Sequence, residues 1–380
     1  VQRRHFLRAA VLGAGTSVAF GFSVTRQAIA FPALPGPSPY GDLLAADANG
    51  IRLPDGFTSR VLARATETVT GTGHTWHSAP DGGACFADGD GWIYVSNSEV
   101  PLTGGASALK FNGAAEITDA YPILSGTTQN CSGGATPWNT WLSCEETDRG
   151  AVHETDPWGG RAAVRHPAMG LFKHEAAAVD PDRKVVYLTE DESDGCFYRF
   201  VPTTWEDMSA GTLQVLTEDG SGLAWADVPD PAATTARTRE QVAAAKHFDG
   251  GEGAYYRAGT CYFTTKGDNR VWAYDAERDA LAVAYDDDIP DPPLTGVDNI
   301  TGTAAGDLYV AEDGGNMEIC LITPDDVVAP FLRVEGQDGS ELCGVAFSPA
   351  GDRLYFSSQR GTSGVSSGGI TYEVTGPFRG

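Results

Sequence analysis

The chain has 380 residues, with 51 acidic side chains against 26 basic ones and a formal net charge of −25. That excess repels nucleic acid and anionic lipid, and it repels small anions too unless bound cations reverse the sign locally. Seven cysteines leave at least one thiol over if the others pair, and Cys144 is the expected unpaired one.

The first element is a leader, VQRRHFLRAAVLGAGTSVAFGFSVTRQAIAF. Arg3 and Arg4 with Phe6 and Leu7 form a twin-arginine pattern, an apolar stretch runs from Ala9 to Phe22, and Ala28-Ile29-Ala30 is a small-x-small cleavage end. Residues 1–30 therefore read as a twin-arginine signal peptide. The expected partner is the twin-arginine export machinery, and the expected location is secreted or cell-surface. Cleavage takes the charge to −29, because the leader holds four arginines and no acid. Residues 31–380 read as one domain with no membrane span, since no later run approaches the roughly 20 apolar residues a span needs.

Downstream one phrase recurs: a Gly, Asp or Asn turn, a strand, then a polar tip. Its instances in chain order are DGWIYVSNSE, WNTWLSCEE, RKVVYLTEDE, GTCYFTTKGD, GDLYVAEDG and GDRLYFSSQR. Aligning the strands makes Asn97, Cys144, Glu190, Thr265, Glu312 and Ser358 equivalent, at steps of 47, 46, 75, 47 and 46 residues. Six such repeats predict an all-β, six-bladed propeller. The long step holds a polar approach from Asp227 to Arg239 and a predicted short helix, Thr238 to Phe248, which reads as an insertion.

Each phrase has a lead-in, shortened in the second repeat (CSGGATPW). The lead-ins are at Gly83, Glu175, Glu252, Asp298-Asn299 and Cys343-Gly344. In a propeller the innermost strands line a central channel. Glu175, Glu252 and Asp298 should then face Cys144, Glu145, Glu190 and Glu312 across its mouth, with Glu99 divided between ligand and exposed acid. Carboxylates so crowded must protonate, flood with water or bind cations. Oxygen donors suit calcium, and a thiolate among them points to a transition metal such as iron, zinc or manganese. Glu146, Asp191, Glu192 and Asp313 neighbour the tips, and about half of them should point to solvent. His174 reads as packed or supporting rather than ligating, and His74 and His77 have neither an HExxH context nor an obvious partner. No GxSxG elbow, Walker loop, GxGxxG fingerprint or CxxC pair occurs, so a serine- or nucleotide-based mechanism has no support.

The segments TWLSCEE, FKHEAAAVDPDRKVVYLTEDE, FDGGEG, YFTTKGDNRVWAYD, VDNITGTAAGDLYVAEDG and CGVAFSPAGDRLYF together resemble the PhoX-type alkaline phosphatases. The resemblance implies an exported propeller holding a pair of ferric ions and several calcium ions. It implies hydrolysis of small phosphomonoesters, with phosphodiesters as a second class, by a metal-activated water or oxo nucleophile and no nucleophilic side chain. It matches Cys144 and Glu145 to the family's Cys-Glu metal ligands. Glu175, Glu190, Glu252 and Glu312, with Asp298 and Asn299, match acids at the channel mouth. The chain departs from the pattern at Asn97-Ser98-Glu99, where relatives have Asn-His-Glu. It also has Gly250 and Gly251 where a phosphate-holding arginine is expected, leaving Lys173, Arg257, Lys266 and Arg270 as candidate substitutes. The rival readings are a calcium-dependent lactonase and a non-catalytic calcium-binding exported propeller.

Overall fold

The computed structural model describes residues 32–380, and the leader expected over residues 1–30 lies outside them. Six sheets form the blades of a propeller, antiparallel throughout except where the two-residue strand Leu34–Pro35 joins one edge in parallel. Their innermost strands are Pro80–Asp88, Asn130–Ala135, His174–Asp180, Gly251–Arg257, Val297–Gly302 and Leu342–Phe347. Each inner strand neighbours the next around the axis, and the sixth returns to the first, so the ring is closed. The last blade takes its outer strand from the other end of the chain. Thr58–Arg64 pairs with Ile370–Thr375, Thr58 opposite Thr375 and Arg64 opposite Ile370. Opening the ring would break that ladder, which ties the two termini together.

Alternating apolar residues on the strands fill the spaces between blades. Phe197 of the third blade stacks on Phe263 of the fourth at 4.3 Å, and Tyr94 of the first on Tyr355 of the sixth at 5.0 Å. Fully burying one such side chain contributes about 1.5–3 kcal/mol. Nearer the axis the backbones themselves touch. A Cβ on Gly82 would lie 2.5 Å from the Ser132 Cα, and one on Gly253 2.7 Å from the Asn299 Cα, so only glycine fits.

The insertion holds no α-helix. Thr238–Glu240 is a single 3₁₀ turn, and His247–Phe248 is a short strand paired with Gly195 and Cys196. The reason is competition for the backbone. The Glu218 N–H bonds to the Ala244 carbonyl and the Lys246 N–H to that of Leu216, so the alanine run continues a sheet edge. An isolated stretch of about 11 residues would be a marginal helix in any case. Among the described residues no helix is long and apolar enough to cross a membrane.

Candidate metal centre

All six inner strands carry a bulge near their start, between Pro80 and Gly83, Asn130 and Gly133, His174 and Ala177, Gly251 and Ala254, Val297 and Ile300, and Cys343 and Ala346. A bulge sets two residues against one and re-aims a side chain. The first bulged residue in the six blades is Asp81, Cys131, Glu175, Glu252, Asp298 and Gly344. Five of the six positions thus carry a group able to hold a metal. A second ring follows from a repeated backbone bond. The N–H groups of Glu99, Glu146, Asp191, Lys266, Asp313 and Gln359 donate to the carbonyls of Ala79, Gln129, Lys173, Gly250, Gly296 and Glu341.

The two rings interlock. Ligand atoms of Asp81, Glu99 and Cys131 lie within 4.8 Å of one another, as do those of Cys131, Glu146 and Glu175, and those of Glu175, Glu252 and Asp298. Cys131 and Glu175 are shared, so the three groups form one continuous row. Glu175 is fully buried, and neither of its carboxylate oxygens has a hydrogen-bond partner. A bare carboxylate in that position is untenable, so a proton or a cation must accompany it. Burial, then the charges of Glu252 and Glu146, pushes its pKa well up. Burial, then Glu252 and Asp81, does the same to Asp298. The Cys131 thiol is pushed up by burial, then by Asp81 and Glu175, so it becomes a thiolate only when a cation takes the proton's place. This mixed row of carboxylates and one thiol fits multivalent cations.

Three cations stand at the mouth. Lys173 Nζ bridges Glu146 at 2.8 Å and Asp191 at 3.0 Å, Lys266 Nζ pairs with Glu252 at 2.7 Å, and Arg360 pairs with Glu341 at 2.9 Å. Burial alone would lower both lysines, but Glu146 and Asp191 hold Lys173 above its usual range and Glu252 and Asp298 hold Lys266 there. Gln359 Nε2 donates to Asp81 at 2.6 Å and to Glu99 at 2.7 Å, tying those acids to the sixth blade.

Of the residues expected from sequence, Glu99, Glu175, Glu252 and Asp298 come together here, with Lys173 and Lys266 beside them. Asn299 lies next to the row but is engaged, donating to Asp298 and accepting from the Gly344 N–H. Four others face elsewhere. The Cys144 thiol is buried in an apolar cluster with Leu142, Val152, Met169 and Phe172, and burial, then Glu145, raises its pKa. Glu145, Glu190 and Glu312 each close their own hairpin, accepting the N–H six residues on: Ala151 at 3.2 Å, Cys196 at 3.2 Å and Glu318 at 2.9 Å. Glu145 also meets His153 at 3.3 Å, and Glu190 is held by Tyr198 at 2.7 Å and Arg239 at 3.0 Å. Glu312 shares a second cluster with Glu318 and Cys320, but Thr295 and Arg333 already engage its acids. Arg257 binds the Ala304 carbonyl from the far end of its strand, and Arg270 pairs with Asp268 and Asp286.

The displacement follows from where the second strands end. The residues ending the second strand of each blade are Ser98, Glu145, Glu190, Thr265, Glu312 and Ser358, each opposite the start of its inner strand. Aligning Asn97 and Cys144 with Glu190 is therefore one residue early in the first two blades. The slip is confined to those two blades; Glu145, Glu190 and Glu312 are strand ends, and it is the residue after each, Glu146, Asp191 and Asp313, that makes the backbone bond of the second ring. Asp81, Cys131, Glu341 and Arg360 were missed altogether. The signal for Cys131 was present in the lead-in of CSGGATPW, two residues from the glycines that align with Gly83. The seven cysteines are all unpaired.

The family model for alkaline phosphatase PhoX matches residues 91–163 and 148–361. No curated protein matches the chain in sequence. Among solved structures, a gluconolactonase from Xanthomonas campestris is 14% identical, covers 90% of this chain and 99% of its own, and has a TM-score of 0.50. A protein of unknown function from Bacteroides thetaiotaomicron is 9% identical, covers 84% of this chain and 76% of its own, and has a TM-score of 0.52. Likeness at such identities shows the propeller alone.

Proposed function

The chain belongs to the PhoX family of alkaline phosphatases, and we propose that it hydrolyses phosphomonoesters at multivalent cations held by Asp81, Glu99, Cys131, Glu146, Glu175, Glu252 and Asp298. The observation that carries the reading is Glu175, a fully buried carboxylate with two unpartnered oxygens where two groups of donors meet. Cys131 favours iron at its end of the row, and the all-oxygen group of Glu175, Glu252 and Asp298 favours calcium. Such ions would supply Lewis-acid polarisation of the phosphoryl oxygens.

The chain's own residues do the rest. The acids fix where cations sit, and the charge they gather makes an anionic ester welcome in an acidic protein. Lys173, Lys266 and Arg360 stand around the mouth, where an ester phosphate would enter, in place of the arginine absent before Glu252. Gln359 holds Asp81 and Glu99 in position. A calcium-dependent lactonase on the same fold would need only oxygen donors, and it leaves Cys131 in the row without a role.

The test is turnover of a chromogenic phosphomonoester from neutral to alkaline pH. Metal-replete protein should hydrolyse it, strip to inactivity with a strong chelator, and recover with iron and calcium together. Metal-replete protein without turnover at any pH in that range would reject the reading.

A further inference from the structure

Beside the mouth, on the side of the second and third blades, lies a cavity of about 370 Å³. Its wall is the insertion, and its lining lies close in sequence to the site at three points of the chain. Asp148 is two residues after Glu146, Phe172 directly precedes Lys173, and Glu190 directly precedes Asp191. Those three neighbours, Glu146, Lys173 and Asp191, are the ion-paired edge of the mouth. We propose that this cavity is the subsite for the alcohol half of the ester, shaped for a neutral, hydroxylated alcohol of about sugar size; the proposal rests on the phosphatase reading.

The wall is fastened from both blades rather than hung as a loose loop. The Leu171 N–H donates to the Pro231 carbonyl at 2.8 Å, and Thr238 Oγ1 donates to the Leu171 carbonyl at 3.2 Å. Arg149 donates to the carbonyls of Ala232 and Ala233 at 2.9 and 2.7 Å. Arg239 is buried among Glu190, Glu192 and Asp194 at 3.0, 3.4 and 2.7 Å. A guanidinium so paired holds the wall and has no charge left to offer a ligand.

The chemistry of the lining sets the class of guest. Arginines 149, 237 and 239 balance Asp148, Glu190 and Glu240, so the cavity is formally neutral within a chain of net charge −25. That balance neither repels nor rewards a second anionic group. Leu171, Phe172 and Ala236 supply an apolar floor, and Thr235 brings a hydroxyl at the exposed edge. A volume of this size falls in the lower part of the range of ligand pockets, roughly 300–1,000 Å³. A sugar-like alcohol matches such a surface, its C–H face on the floor and its hydroxyls toward the rim.

Filling the cavity tests this. Ala236→Trp, with Thr235→Trp as a second variant at the exposed edge, should lower the ratio of kcat/KM for glucose 6-phosphate over methyl phosphate at least tenfold, through KM. Saturation-transfer NMR with free glucose gives a readout independent of turnover, with contact expected in the parent and lost in Ala236→Trp. A ratio unchanged in both variants overturns the subsite, as does glucose contact that is absent from the parent or identical in parent and variant. A parent that contacts glucose but turns over neither ester overturns the phosphatase reading and with it the alcohol subsite, leaving the cavity as a sugar-binding site only.

Discussion

Cys131→Ser is expected to remove most of the transition metal from the protein and to lower turnover on the order of 1,000-fold, while Cys144→Ser leaves both nearly unchanged. Cys131 is shared by two groups of donors in the channel, so its sulfur is the only soft ligand that the row possesses. Loss of a Lewis acid worth several kcal/mol in the transition state corresponds to a fall of that size. Cys144 is packed against Leu142, Val152 and Phe172. A serine hydroxyl there costs about 1–3 kcal/mol of stability and touches no candidate ligand. Metal content and turnover measured on the two variants side by side decide between them. Equal loss in both, or loss confined to Cys144→Ser, would contradict the geometry and restore the Cys-Glu pairing that the family resemblance suggests at Cys144 and Glu145.

Metal-free protein is expected to lose far more stability than metal-loaded protein as pH rises from 6.5 to 9. Burial, then Glu99, raises the Asp81 pKa to about 7. Burial, eased by Lys266 but aggravated by Asp191, raises that of Glu252 to about 8. Burial, then Glu99, raises that of Glu146 to about 9. Ordinary carboxyls in the unfolded chain release their protons near 4. Above that value the folded state therefore binds more protons than the unfolded state, and stability declines with pH until each folded pKa is passed. His77, His74 and His174 have lowered values, so they raise stability until the unfolded imidazoles have lost their protons, roughly one unit above 6.5, and add nothing beyond that. Saturating cations replace those protons, so the row's carboxylates are ionised and paired, and only the small slope from Glu190 and Glu312, each raised to about 7 by burial outside the row, persists. Chelated protein should show a thermal midpoint at least about 5 °C lower at pH 9 than at pH 6.5. A midpoint that is flat or rising without metal would mean the acids of the row are already compensated.

Much of this was legible in the sequence because a propeller writes its period along the chain. The steps near 46 residues revealed six blades, and the lead-ins placed Glu175, Glu252 and Asp298 at the axis. What escaped was a matter of phase. Cys144 and Glu146 differ by two residues and so share a face in a regular strand. The strand ends at Glu145, however, and the chain turns there, so Glu146 swings to the axis while Cys144 stays in the core. Bulges hid Asp81 and Cys131, because a bulge breaks the alternation from which inward-facing residues are read. Arg360 was within reach of the repeat, two residues after the Ser358 tip, as Lys266, one residue after Thr265, was found. The insertion was misread for a different reason. Its alanines favour helix locally, but an open sheet edge beside them offered partners for the backbone.

The account's central claim is that anionic tips from all around the axis are held together by multivalent cations. Elemental analysis of protein purified from its own host, parent beside Glu175→Gln, tests it most directly. The account predicts more than one multivalent cation per chain in the parent, iron and calcium among them, and a clear deficit in the variant, since Glu175 joins two groups of ligands. A folded, active parent carrying no multivalent cation, or a variant with an undiminished complement, would contradict it.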